Sequence, residues 1–120
     1  MDKYCIPNSY KCRLNNKHCD KTVKVETWYQ HEVYISVSNF MRKHKLKKLI
    51  DIGTGSGVKL MKYCSNFETI GYETEPAYSY LIKKYPNRKW VKSGEASKNF
   101  GEYFDNCDVI MSADVIEHIV

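Results

Sequence analysis

Apolar and polar positions alternate along the chain in two rhythms, which predict strands and helices in turn. Four short apolar runs bounded by polar residues indicate strands. The predicted strands cover residues 48–52, 68–72, 89–92 and 107–111. Because helix-forming segments separate them, the pattern favours the α/β class, with a parallel sheet and right-handed crossovers.

Three helices are predicted from apolar residues that recur at helical spacing. The first covers about residues 27–45, and its apolar stripe is Val33, Val37, Phe40 and Met41. The second ends near Ser65, and its apolar positions are Val58, Leu60, Met61 and Cys64. The third follows Pro76, and its apolar face is Ala77, Tyr78, Leu81, Ile82 and Tyr85.

The chain between the first strand and the second helix holds three alternating glycines, Gly53, Gly55 and Gly57, directly after Asp51 and Ile52. One glycine allows a sharp turn off the strand, one allows close approach of a ligand, and one allows tight packing of the helix. A helix that begins here points its free N–H groups at whatever lies over the loop. A tight turn without a ligand is the alternative.

Glu73 follows the second predicted strand, 22 positions after Asp51. In α/β sheets of this kind, an acid about 20 residues beyond the loop accepts hydrogen bonds from a ribose diol. A carboxylate suits this role because its two oxygens can take both hydroxyls. The alternative is that Glu73 is only a surface charge, whereas Glu75 is expected to belong to the start of the next helix.

The form D-x-G-x-G-x-G over residues 51–57 resembles the first motif of the class I S-adenosylmethionine-dependent methyltransferases. Residues 71–76 are similar to the second motif of that family, G-x-[DE]-x-x-P, and residues 94–96 to its G-[DE]-A element. Residues 108–118 resemble its fourth-strand motif. The resemblance implies a Rossmann-like fold with strand order 3-2-1-4, truncated after the fourth strand.

This resemblance implies that S-adenosylmethionine lies over the glycine loop, with Glu73 on the ribose, Glu95 near the adenine and Asp114 near the methionine. The implied cofactor-binding residues are Asp51, Gly53, Thr54, Gly55, Gly57, Glu73, Glu95, Ala96, Ser112 and Asp114. It assigns no catalytic residue. The methyl acceptor stays open among a small molecule, RNA and protein.

The net charge of +5 and the pI near 8.9 favour an anionic partner only slightly. Basic residues cluster in residues 42–48, where they suit the C-terminal end of a helix dipole. A solvated helix end is favoured there over a nucleic-acid patch. Neither a signal peptide nor a membrane span is indicated, so we expect a cytoplasmic protein with reduced cysteines.

Residues 1–26 are predicted to form an irregular arm before a domain of residues 27–120. Cys5, Cys12 and Cys19 recur at seven-residue steps beside His18, which would be zinc ligands in the alternative interpretation. No C-x-x-C knuckle is present, so incidental cysteines are favoured. Glu117 and His118 resemble part of a metal-binding run in small-RNA 3′-end 2′-O-methyltransferases, but the ligand set is incomplete, and no metal site is predicted.

The fourth strand is an edge in the expected order, and such an edge invites pairing with another chain. Either the chain is a fragment whose missing half completes the sheet, or it is a short gene product that self-associates. A second hypothesis is therefore a catalytically inactive binding module that pairs through this edge. A third is half of a nicotinamide-dependent oxidoreductase, which is disfavoured because Val58 replaces the last glycine of G-x-G-x-x-G.

Overall fold

A computed structural model describes residues 30–93 and 103–113. Helices and strands alternate along the described chain. They are α1 (His31–Lys43), β1 (Lys48–Ile52), α2 (Val58–Cys64), β2 (Glu68–Glu73), α3 (Ala77–Lys84), β3 (Lys89–Lys92), a 3₁₀ turn (Phe104–Asn106) and β4 (Val109–Ser112). The predicted bounds of β1 and β3 are confirmed. The strand β2 is one residue longer than predicted, and β4 begins two residues later.

The four strands form one parallel sheet in the order β3-β2-β1-β4. The α/β class and the parallel sheet are thus confirmed, and the order is the one expected from the sequence. Ile52 at the end of β1 pairs with Tyr72 of β2 on one side and with Ser112 of β4 on the other. The winding reverses beside β1, and ligands of open α/β sheets bind outside the strand ends at such a point.

The core has two parts, because successive side chains of a strand point to opposite faces. Leu49 belongs to the part that contacts the helices, whereas Ile50 belongs to the part on the other face. The buried residues of the helix-covered part are Tyr34, Met41, Leu49, Leu60, Cys64, Tyr80, Leu81, Trp90 and Met111. Those of the second part are Ile50, Ile70, Tyr72 and Val91.

The buried face of α1 differs from the predicted stripe. Met41 is fully buried as expected, but Val33 is 40% exposed and Phe40 is 52% exposed, so their assignment to the core is wrong. Tyr34 is buried instead. The helix is turned toward Tyr34 because that hydroxyl finds a partner in Asp51 of β1, which allows the whole ring to be buried.

A similar correction applies to α3, which buries Tyr80 beside Ala77 and Leu81. Ile82, predicted for the apolar face, is 42% exposed. Although the hydroxyl of Tyr80 is polar, its aromatic ring has a large apolar surface, which favours burial of the side chain. Within the described residues, none of the helices combines the length and the apolar character that a membrane span requires.

Asp108 ties β4 to β1 at the amino ends of the two strands. Its carboxylate accepts hydrogen bonds from the backbone N–H groups of Lys47 at 2.8 Å and Lys48 at 3.0 Å. These two bonds lower the pKa of Asp108, since they favour the charged carboxylate. The predicted arm of residues 1–26, with Cys5, Cys12, His18 and Cys19, lies outside the described residues.

Candidate functional site

The glycine loop turns sharply off β1 through three residues in the left-handed region. Gly53, Gly55 and Gly57 have φ angles of 75°, 65° and 79°. Residues with a side chain rarely adopt such angles, so the backbone itself requires glycine at these positions. The Gly53 N–H donates to the Tyr72 carbonyl at 2.8 Å, which anchors the turn to the end of β2.

The third glycine allows close packing of α2. A Cβ atom at Gly57 would lie 2.8 Å from Leu81 Cδ2 and 3.2 Å from Tyr85 Cε2. The absence of a side chain therefore lets the start of α2 approach residues of α3 and the segment after it. This agrees with the packing role predicted for one of the glycines. The residues that lie close to Gly57 belong to α3 and the segment after it as well as to the sheet.

Gly71 in β2, the first residue of the second motif, is another point of close approach. It pairs with Asp51 on one side and with Trp90 on the other. A Cβ atom at Gly71 would lie 2.4 Å from the Trp90 ring and 3.1 Å from Thr54 Cγ2. The indole of Trp90 thus lies across Gly71, next to the glycine loop. A glycine inside a strand pattern is the signal that could have predicted this.

Glu73, the last residue of β2, turns its carboxylate toward the glycine loop. Its Oε2 accepts a hydrogen bond of 2.9 Å from the Gly55 N–H, and its Oε1 accepts one of 2.8 Å from the Thr74 N–H. The nearby Glu75 instead accepts from the Ser79 N–H at 3.0 Å, on α3. Of the two acids, therefore, only Glu73 lies against the loop.

Asp51 lies under the loop and is completely buried. The Tyr34 hydroxyl donates to its Oδ2 at 2.8 Å. Burial raises the pKa of Asp51 to about 7, because the charged form loses its hydration. The Tyr34 and Thr54 hydroxyls oppose this increase in pKa, whereas the negative charge of Glu73 adds to it.

Three buried polar atoms near the carboxyl ends of β1 and β4 form no hydrogen bond of normal geometry among the described residues: Asp51 Oδ1, Thr54 Oγ1 and Ser112 Oγ. The Thr54 hydroxyl nevertheless lies near enough to Asp51 to lower the pKa of that carboxyl. Thr54 lies in the loop, and Ser112 pairs with Ile52 at the end of β1. Buried polar groups are normally paired. The polar groups of a ligand over the loop could satisfy these atoms.

Comparison with known proteins adds no assignment. No family model and no curated protein matches this chain. The predicted site residues Glu95, Ala96 and Asp114 lie outside the described residues, as do Glu117 and His118. In residues 30–93 and 103–113, no group of three or more His, Cys, Asp or Glu side chains could hold a metal ion. The candidate site therefore depends on the geometry of the loop and of Glu73.

Proposed function

We propose that this chain forms the cofactor-binding half of an S-adenosylmethionine-dependent methyltransferase. The observation that carries the proposal is the 2.9 Å hydrogen bond from the Gly55 N–H to Glu73 Oε2. It holds a carboxylate beside a glycine loop at the carboxyl ends of parallel strands, where nucleoside ligands of α/β sheets bind. The resemblance of residues 51–57 and 71–76 to two methyltransferase motifs makes S-adenosylmethionine the favoured nucleoside.

The Glu73 carboxylate suits a ribose because its two oxygens can accept from two hydroxyls. Oε2 accepts from the Gly55 N–H, and Oε1 accepts from the Thr74 N–H. The longer bond of 3.3 Å from the Thr74 hydroxyl to Oε1 is the contact that a ribose hydroxyl would replace, since the Thr74 hydroxyl can rotate away.

One of the remaining polar atoms fits the methionine end of the same ligand. Ser112 would lie beside that end, where its hydroxyl, which has no hydrogen-bond partner among the described residues, can bind a polar group of the ligand. When bound, the cofactor supplies a methyl group on a positively charged sulfur. The protein's part in the transfer is to bind and orient the reactants, since positioning alone contributes several kcal/mol to such a reaction. Glu95 and Asp114 stay assigned to the adenine and methionine ends by the resemblance alone.

A second function, a non-catalytic module that pairs through its sheet edge, is favoured by one observation. Within the described sheet, β4 pairs with a strand on one side only, and its Ile110 is 44% exposed. An edge strand with an exposed apolar side chain can pair with another chain. Light scattering separates the two functions, because a monomer that transfers methyl groups would exclude this module.

Calorimetric titration with S-adenosylhomocysteine tests the proposed function. We expect saturable binding by the native chain, and a loss of about ten- to a hundredfold in affinity for Glu73→Ala, since hydrogen bonds to a charged group contribute about 1.5–3 kcal/mol. Glu75→Ala is the matched control, because Glu75 contacts Ser79 instead of the loop. It should bind like the native chain.

Two results would contradict the proposal. The first is the absence of heat from the native chain with S-adenosylhomocysteine. The second is equal binding by the native chain and Glu73→Ala. A parallel titration with NADH, followed by its fluorescence, checks the nicotinamide alternative, and we expect no saturable binding.

A further inference from the structure

One segment of the described chain carries several basic residues and no acidic one. Residues 33–50 contain five of the 19 Lys and Arg residues and none of the 14 Asp and Glu residues. A cluster of like charges creates a local field that attracts anions.

This segment presents its charge at the end of the sheet opposite to the candidate site. Arg42, Lys43, Lys45 and Lys47 are exposed, at the end of α1 and just before β1. Glu73 lies at the carboxyl ends of the strands, roughly 15 Å away along a five-residue strand. A partner bound at this charge would therefore leave the nucleoside site open.

Within the part of the chain that the structure describes, the acids near this segment neutralise only part of its positive charge. Glu68 Oε1 lies 3.5 Å from Lys48 Nζ, and the Asp108 carboxylate is held on the backbone N–H groups of Lys47 and Lys48. Among the described residues, Lys48 is the member of the segment that forms an ion pair. Arg42, Lys43 and Lys45 therefore remain available to an external anion.

An exposed aromatic ring lies among these cations. Phe40 is 52% exposed, and its ring centroid lies 4.5 Å from that of His44. Lys43 and His44 follow Phe40 by three and four residues, which makes them its neighbours on the helix surface. The helix dipole accounts for cations at the end of α1. The helix dipole does not explain why the apolar ring of Phe40 is exposed among these cations.

We infer that this basic surface, formed by Phe40, Arg42, Lys43, His44, Lys45 and Lys47, binds single-stranded nucleic acid. Lysine and arginine side chains contact phosphates, and an exposed ring stacks on an unpaired base. A double helix would hide its base faces from Phe40, which is why a single strand is favoured. This surface is separate from the nucleoside site, so the inference does not depend on the proposed methyltransferase function.

Fluorescence anisotropy with a labelled single-stranded RNA of about 12 nucleotides tests the cationic part of the surface, with site size taken from known single-strand binders. Lys43→Gln/Lys47→Gln should weaken binding and reduce the salt dependence of log K by about 1.4, because two phosphate contacts are lost. Lys83→Gln/Lys84→Gln at the end of α3 removes the same charge elsewhere and is the control. Equal effects of the two double variants, or no binding by the native chain, would overturn the inference.

Phe40→Ala and Phe40→Leu test the stacking. Both should weaken RNA binding about fivefold or more, since base stacking requires an aromatic ring. Folding should survive both changes, as Phe40 lies outside the buried core, and circular dichroism checks this. Anionic lipid vesicles serve as the competing partner. If the native chain binds the vesicles but not the RNA, and Phe40→Leu keeps that binding, the surface is a membrane contact and the inference is wrong.

Discussion

The buried carboxyl of Asp51 should make the stability of the protein fall as the pH rises, and Asp51→Asn should remove this dependence. Burial raises the pKa of Asp51 from 3.8 to about 7 in the folded chain. Between these two values the unfolded chain has released a proton that the folded chain keeps. Stability therefore decreases with rising pH across this window and is constant for this group above it.

The magnitude follows from the width of the window. Each unit of pKa difference corresponds to about 1.4 kcal/mol, so about three units correspond to about 4 kcal/mol. This is a large part of the 5–15 kcal/mol that stabilises a typical domain. Since asparagine does not titrate, the free energy of unfolding of the native chain should drop by about 4 kcal/mol relative to Asp51→Asn between about pH 4 and pH 8.

Urea unfolding of both proteins at several pH values measures this difference, with fluorescence of the buried Trp90 as the signal. The other titrating groups are common to both proteins and cancel in the comparison. Tyr34→Phe is a second variant, because it removes the hydroxyl that opposes the increase in the pKa of Asp51. Its stability should continue to fall to a higher pH. If the difference in unfolding free energy between the native chain and Asp51→Asn changes by less than about 1 kcal/mol across this range, the pKa of Asp51 is not raised to about 7.

Two further predictions concern the sheet. Gly71→Ala should destabilise the chain by about 1–3 kcal/mol, because the added Cβ overlaps the Trp90 ring and overpacks the core. Denaturant unfolding should show a smaller loss of stability when the same change is made in a Trp90→Leu variant. Equal losses in both backgrounds would contradict the contact between Gly71 and Trp90. Asp108→Asn should destabilise the chain at neutral pH, since the lowered pKa of Asp108 means that its charge stabilises the fold. That contribution is lost as the pH falls through the folded pKa, so the unfolding curves of native chain and variant should converge in acid, and a constant difference would argue against it.

The sequence was most informative where the residue pattern directly determines the backbone. The strands β1 and β3 have the predicted ends because each apolar run is bounded by polar residues or glycine. The turn at Gly53, Gly55 and Gly57 was predictable because only glycine adopts positive φ angles without strain. Glu73 was expected directly after β2 and is the last residue of that strand, so its position was predicted to within one residue.

The helix faces were less predictable, because the partner of a side chain decides whether it is buried. Tyr34 is buried because its hydroxyl donates a hydrogen bond to Asp51. The two residues are 17 positions apart in the sequence, so a local apolar pattern could not predict this contact. Conversely, Phe40 is apolar but exposed, because it does not pack in the core. The overlap between Gly71 and Trp90 also depends on strand pairing, which the sequence predicted only as an order of strands.

The proposed function requires that the glycine loop and Glu73 contact the same adenosine. The most direct test is the amide spectrum of the ¹⁵N-labelled chain during addition of S-adenosylhomocysteine. The Gly55 and Thr74 signals, whose N–H groups donate to Glu73, should shift together and saturate. Adenosine alone should produce the same shifts. Saturable shifts that leave the Gly55 and Thr74 signals unchanged would contradict this requirement.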